Sequence, residues 1–188
     1  MLRPLLALAA LATAAAVGAA APSASADPAW APAATATIHP GVQMVTDGAQ
    51  CTANFVYSDG TTVYLGYAAH CAGTGAQTDT NGCETGSLPL GTPVEIDGAS
   101  RPGTLAYSSW LAMQAANETN ADTCAHNDLA LVRIDPADVG RVNPSVPVWG
   151  GPTGVNTTGT GLGERIYAYG NSGLRLGLTL VSPKTGVS

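Results

Sequence analysis

Short runs of β-branched and aromatic residues, broken every few positions by Gly, Pro, Asn, Asp and Ser, set the pattern of this chain. The clearest run is Cys51-Thr52-Ala53-Asn54-Phe55-Val56-Tyr57, which turns at Ser58-Asp59-Gly60 and returns through Thr61–Ala68. Two such runs around turn residues predict a β-hairpin. Thr92–Ile96 and Gly103–Tyr107 predict two more short strands around Asp97-Gly98-Ala99-Ser100. Leu129–Ile134 predicts a buried strand ended by Asp135-Pro136. Ile166–Tyr169 and Leu174–Val181 predict a last strand pair across Gly170-Asn171-Ser172-Gly173. Ser108–Asn117 predicts a short helix with Trp110 and Met113 on one side. Ala72–Leu90 and Asn117–Cys124 predict loops, and 141–160, with Pro144, Pro147, Pro152 and several Gly, predicts a connector. Many short strands without a long helical period predict an all-β barrel or sandwich, and no internal repeat is visible.

The start of the chain follows another pattern. One positive charge in Met1-Leu2-Arg3-Pro4 precedes an almost unbroken Leu/Ala run from Leu5 to Ala21, and Ala24-Ser25-Ala26 offers a small-x-small cleavage site. This layout predicts a secretory signal peptide over 1–26; the Ala-rich run and the cleavage site disfavour an uncleaved anchor. Asp27–Pro40 is Ala/Pro/Thr-rich and aperiodic, so it predicts an extended leader or short pro-segment. No Lys or Arg lies between Ala26 and Cys51, which excludes release by a cut after a basic residue there.

Composition and charge narrow the class. The 188 residues suit one domain, and 23 Gly and 13 Pro with 11% charged residues suit an exported, turn-rich β protein. The net charge of −6, with no basic cluster, argues against nucleic acid and anionic membrane surfaces as partners. No second segment is apolar enough to span a bilayer, so no membrane association is expected after signal cleavage. Asn117-Glu118-Thr119 and Asn156-Thr157-Thr158 match the glycosylation acceptor pattern, too short a motif to carry weight. Cys51, Cys71, Cys83 and Cys124 form an even set in an exported chain, which reads as a disulfide framework with three possible connectivities. The competing reading is a zinc site built from Cys71, Cys83, Cys124 and a His, or from His70, Cys71, Cys124 and His126. The spacings match no common zinc pattern.

Candidate chemistry centres on Tyr67-Ala68-Ala69-His70-Cys71, where an apolar strand runs into two small residues, a His and a Cys. A His with a pKa near neutrality can take a proton and later return it, as acyl transfer requires. Asp128, in His126-Asn127-Asp128-Leu129-Ala130-Leu131-Val132, stands immediately before an apolar strand. An acid there can hold an imidazole in one tautomer and stabilise the imidazolium. Ordinary readings exist for both: a core His, and a strand-entry turn for Asn-Asp. His126 is a nearby second His without the strand-Ala-Ala context.

Ala-Ala-His-Cys together with Asp-Leu-Ala-Leu resembles the signatures of the chymotrypsin/trypsin-like serine proteases, over about residues 40–181. The resemblance implies a double β-barrel, peptide-bond hydrolysis by a Ser-His-Asp triad, His70 as base and then acid, and Asp128 as its orienting partner. It also implies protein or peptide substrates, no cofactor or metal, secretion, and a monomer when full length. By the same resemblance Cys51 pairs with Cys71, with Cys83 and Cys124 as the remaining pair.

The family's nucleophile lies in Gly-Asp-Ser-Gly, which this chain does not contain. Gly170-Asn171-Ser172-Gly173 is close, but Asn stands where the acid belongs and Ser172 falls 44 positions after Asp128. The family order puts the nucleophile about 90 after its Asp. Ser172 is therefore expected to be a turn residue, and the chain to stop before the nucleophile. The expected organisation is a first barrel over 41–140, a connector over 141–160 and the start of an incomplete second barrel over 161–188. Two strands cannot close a barrel, so mobility or association is expected after Thr160. The alternative is a non-enzymatic, secreted, protease-like binding protein.

Overall fold

The computed structural model describes residues 28–188 except 77, 176 and 177. The expected signal peptide lies outside the described residues. The structure is mostly β, built around one curled seven-stranded sheet. Its strands are β1 (Gln43–Thr46), β2 (Ala49–Thr52), β3 (Val56–Ser58), β4 (Val63–Tyr67), β5 (Pro93–Ile96), β6 (Gly103–Ser108) and β7 (Ala130–Arg133). They lie in the order β2-β1-β5-β6-β7-β4-β3, and every pairing is antiparallel.

The two edge strands, β2 and β3, are consecutive in the chain, joined by Ala53-Asn54-Phe55. The Ala53 N–H donates to Val42 O on the β1 side, while the Asn54 N–H donates to Gly66 O on the β4 side. One bent stretch of backbone thus seams the curled sheet. The run Cys51–Tyr57, expected as one strand, is therefore broken at this bend. Gly66 is a glycine for the same reason: a Cβ there would sit 2.2 Å from Asn54 Oδ1 and 2.7 Å from the Tyr57 ring. The strand β1 was not expected; it is short, and only Met44 and Thr46 of its side chains point inward.

Alternation along the strands fills the interior. Met44, Leu65, Val94, Leu105, Ala130 and Val132 are fully buried. β4 buries Val63, Leu65 and Tyr67, and the Tyr67 hydroxyl pairs with Thr46 Oγ1 at 3.0 Å inside the sheet. Such a buried polar pair is tolerated because each hydroxyl satisfies the other. Between β6 and β7 the chain forms α1 (Ser109–Ala115), which buries Trp110 and Met113 as the sequence spacing predicts. A second helix, α2 (Ala121–His126), replaces part of the loop expected over Asn117–Cys124. Asn120 caps it by accepting the Thr123 N–H at 2.9 Å, and Cys124 anchors it.

Residues 28–40, expected as extended, turn at Pro32–Ala36, where the Thr35 and Ala36 N–H groups donate to Pro32 O, and bond the segment 141–143 on either side of that turn. Ile38 is fully buried, and its N–H and C=O bond to Arg141 O and the Asn143 N–H. Val142, inside the expected connector, is equally buried, whereas 151–160 is exposed throughout. The last strands are β8 (Arg165–Tyr169) and β9 (Pro183–Val187), a separate antiparallel pair. The described residues of Leu174–Val181, the expected partner of β8, form no strand, and its ends are short 3-10 turns. The turn that should have joined them is held elsewhere: Gln50 and Thr52 of β2 bond the backbone of Asn171 and Gly173. Ile166, Tyr167 and Val187 consequently remain exposed on a two-stranded ribbon. Among the described residues no helix is long and apolar enough to cross a membrane.

A buried carboxylate ties the end of β7 to the β5–β6 turn. Asp138 has no exposed surface and accepts bonds from Ser100 N (2.9 Å), Ser100 Oγ (2.8 Å) and Arg101 N (3.1 Å), with Arg141 Nε at 3.5 Å. Burial pushes its pKa up, but these bonds and the Arg141 charge outweigh that, so the carboxyl is held below its usual range. Its folded value therefore lies below an unfolded value of about 3.9. The carboxylate stabilises the fold above that unfolded value, and the contribution is lost as pH falls through the folded one. Asp59, lowered to about 2 chiefly by the Thr61 N–H, acts in the same direction but is exposed and contributes little. Urea midpoints should fall between about pH 5 and about pH 2. Asp138→Asn should lower the neutral-pH midpoint and flatten that acid limb; a limb of unchanged steepness would show that Asp138 does not drive it.

Candidate active site

The ends of two neighbouring strands build the site. β4 pairs with β7 in the register Leu65↔Val132, Gly66↔Leu131, Tyr67↔Ala130. The chain leaving β4 and the chain entering β7 therefore stand side by side. Leaving β4, Ala69–Ala72 wind into a single 3-10 turn, with Ala69, Cys71 and Ala72 buried and His70 facing out. The small side chains of Ala69 and Ala72 let that turn sit down on the core. Entering β7, Asp128 projects toward the turn across 58 positions of sequence.

Asp128 uses both oxygens on one residue. Oδ1 accepts the His70 backbone N–H at 2.8 Å, and Oδ2 lies 2.7 Å from His70 Nδ1. A carboxylate accepts, so the bond fits Nδ1–H donating to Oδ2, and in the neutral imidazole the lone pair then lies on Nε2. Among the described residues Nε2 has no hydrogen-bond partner. The side chains of His70 and Asp128 are 45% and 34% exposed, so the ring opens toward solvent. Beside it lies a cleft of about 530 Å³, lined by His70, Gln50, the Cys51–Cys71 disulfide, Thr85 and Trp110 among others.

Two disulfides brace this region. Cys51 joins Cys71 and Cys83 joins Cys124, the pairs implied by the sequence resemblance. The first fixes the His70 turn to β2. The second fixes the loop after it to α2, three residues before Asn127. No described cysteine is free, so neither zinc set has thiolates to offer while the bonds stand. His126 lies at the end of α2, where its Nδ1 meets Asp122 O at 2.9 Å, and it does not join the His70–Asp128 pair. Ser172 sits in the segment held by β2, and its Oγ accepts the Leu174 N–H at 3.3 Å. It makes no bond to His70.

One further residue matters here that the sequence pattern did not single out. Ser109 is fully buried and brackets Asp128. Its Oγ donates to Asn127 O at 2.8 Å and accepts the Leu129 N–H at 3.0 Å, while its own N–H donates to Leu129 O at 2.8 Å. Serine at a helix start is ordinary, so nothing in the sequence marked it.

No protein-family model matches the chain, and no curated protein or solved structure matches it either.

The bracketing role makes a specific prediction. Ser109→Ala removes the part-buried bonds of its hydroxyl to Asn127 O and the Leu129 N–H, each worth about 0.5–1.5 kcal/mol. Urea denaturation should show that loss. The downfield Nδ1–H proton signal of His70 should broaden or vanish through faster exchange with water. A sharp, unshifted signal would mean that Asp128 is positioned without Ser109.

Proposed function

We propose that the chain is the His- and Asp-bearing part of a secreted serine endopeptidase of the trypsin/chymotrypsin-like class, with its curled sheet as the first of two barrels. The observation that carries the reading is the Asp128 carboxylate closed on both the backbone N–H and the Nδ1 of His70. This is the arrangement an acyl-transfer base needs: a fixed tautomer, a fixed ring and a lone pair facing a cleft. In the reaction His70 Nε2 takes the proton of a serine hydroxyl as that oxygen attacks the peptide carbonyl. The proton then passes to the leaving amine, and a water repeats the sequence to release the acyl group. Asp128 stays ionised and stabilises the imidazolium. The motifs Ala-Ala-His-Cys and Asp-Leu-Ala-Leu, and the two disulfides, support the same assignment. Substrates are proteins or peptides, and no metal or cofactor takes part.

Among the described residues no serine bonds His70, and Ser172 Oγ accepts the Leu174 N–H within its own turn. That observation favours a second reading, a secreted protease-like protein that binds without cleaving.

Two preparations test these readings: residues 27–188 alone, and the same chain extended by whatever its gene encodes beyond Ser188. Residues 27–188 should not turn over casein or peptide esters. Steady hydrolysis abolished by Ser172→Ala would overturn this and make Ser172 the nucleophile. The extended chain should hydrolyse peptides, and Asp128→Asn should reduce its kcat by about 10⁴-fold. Inactivity of the extended chain would favour the binding reading.

A further inference from the structure

The sulfurs of Cys51 and Cys71 and a ring nitrogen of His70 all lie within 4.8 Å of one another. While the disulfide stands, these sulfurs ligate nothing. Reduced, they become two thiolates beside an imidazole, the Cys₂His donor set that soft divalent metals take with a fourth, open position. We propose that reduction of Cys51–Cys71 converts this corner of the protein into a zinc site made of Cys51, Cys71 and His70, with water from the cleft as fourth ligand.

Three observations carry this beyond proximity. First, the remaining partner is in place. A metal-bound imidazole is usually held by a carboxylate on its other nitrogen, and Asp128 already holds His70 Nδ1 at 2.7 Å, leaving Nε2 to the metal. Second, there is a path. Cys51 and His70 both line the cleft, Cys51 is only half-buried, and a reductant and an ion can reach them from the same side. Third, the ligands stay near each other without the bond. Cys51 is fixed by the β1–β2 ladder, where it pairs with Met44, and Cys71 by its N–H to Ala68 O in the buried turn. The inference does not depend on the peptidase reading.

The chemistry balances with a named reductant. A water-soluble trialkylphosphine attacks Cys51 Sγ, breaks the S–S bond and expels the Cys71 thiolate. Water then hydrolyses the phosphonium, so the phosphine leaves as its oxide and the two cysteines as thiols. The metal displaces both thiol protons to solvent, so affinity rises with pH. A bound metal occupies the lone pair that the base would use, so the two states of His70 exclude each other.

The test uses residues 27–188, reduced with the phosphine and titrated with Co²⁺ as a spectroscopic stand-in for zinc. One equivalent should give a thiolate-to-cobalt charge-transfer band with tetrahedral d–d bands, and Zn²⁺ should bleach both. Cys51→Ser or Cys71→Ser should abolish the charge-transfer band. His70→Ala should weaken binding and change the d–d pattern, and Asp128→Asn should weaken it about 10–100-fold. The paired substitution Cys83→Ser/Cys124→Ser should leave the spectrum intact. The proposal is overturned if His70→Ala binds as tightly as the parent, or if the band needs Cys83 or Cys124. It is equally overturned if circular dichroism shows that the reduced protein has unfolded.

Discussion

The antiparallel pairing of β4 with β7 is the constraint on which the site depends. Their sequences lie far apart, yet the register Tyr67↔Ala130 puts the exit of one strand beside the entry of the other. A shift by one residue would turn every side chain of β7 to the opposite face, exposing Ala130 and Val132 and aiming Asp128 away. The burial of Val63, Leu65, Val132 and Leu105 therefore fixes the register, and the register fixes the His70–Asp128 contact. Core packing and site geometry are here one requirement.

The clamps around the site remove what freedom remains. In the chain-entropy picture, closing loops of 20 and 41 residues contributes roughly 3–4 kcal/mol each. Their placement matters as much as their sum. Cys51–Cys71 crosses from the β2 edge to the turn that bears His70, and Cys83–Cys124 closes the long excursion between the two site residues. Ser109 acts at shorter range by holding the backbone on both sides of Asp128. Asp138 does similar work for the β5–β6 turn, at the cost of burying a charge that only several donors make tolerable.

What could be read from the sequence was what short-range chemistry determines. The β3–β4 turn, the inward face of α1 and the strand after Asp128 follow from residue types a few positions apart. The strand-Ala-Ala-His-Cys context and the acid before Leu129-Ala130-Leu131 were visible because each motif is local. What stayed hidden depends on distant partners. β1 gains its strand from β2 and β5, not from its own four residues. The bend at Ala53–Phe55 exists because two edges of a curled sheet must meet there. Leu174–Val181 has strand composition, but Gln50 and Thr52, about 120 positions earlier, hold the turn that would have started the hairpin. Ser109 was hidden for the opposite reason: its residue type is common and the two bonds of its hydroxyl are nonlocal.

The bidentate use of Asp128 limits what His70 can do. With one oxygen on the backbone N–H and the other on Nδ1, the ring cannot flip without breaking a charge-assisted bond. Its free nitrogen is thereby committed to one direction. Held this way, the half-exposed ring meets solvent and whatever the cleft beside it presents. A serine hydroxyl in the cleft would use the lone pair for proton transfer, and a metal on the opened thiolates would use it as a ligand. Both uses need Asp128 ionised and neither tolerates the other, so the competition is decided by the state of one S–S bond. The same disulfide that orders the turn for the first use has to open for the second.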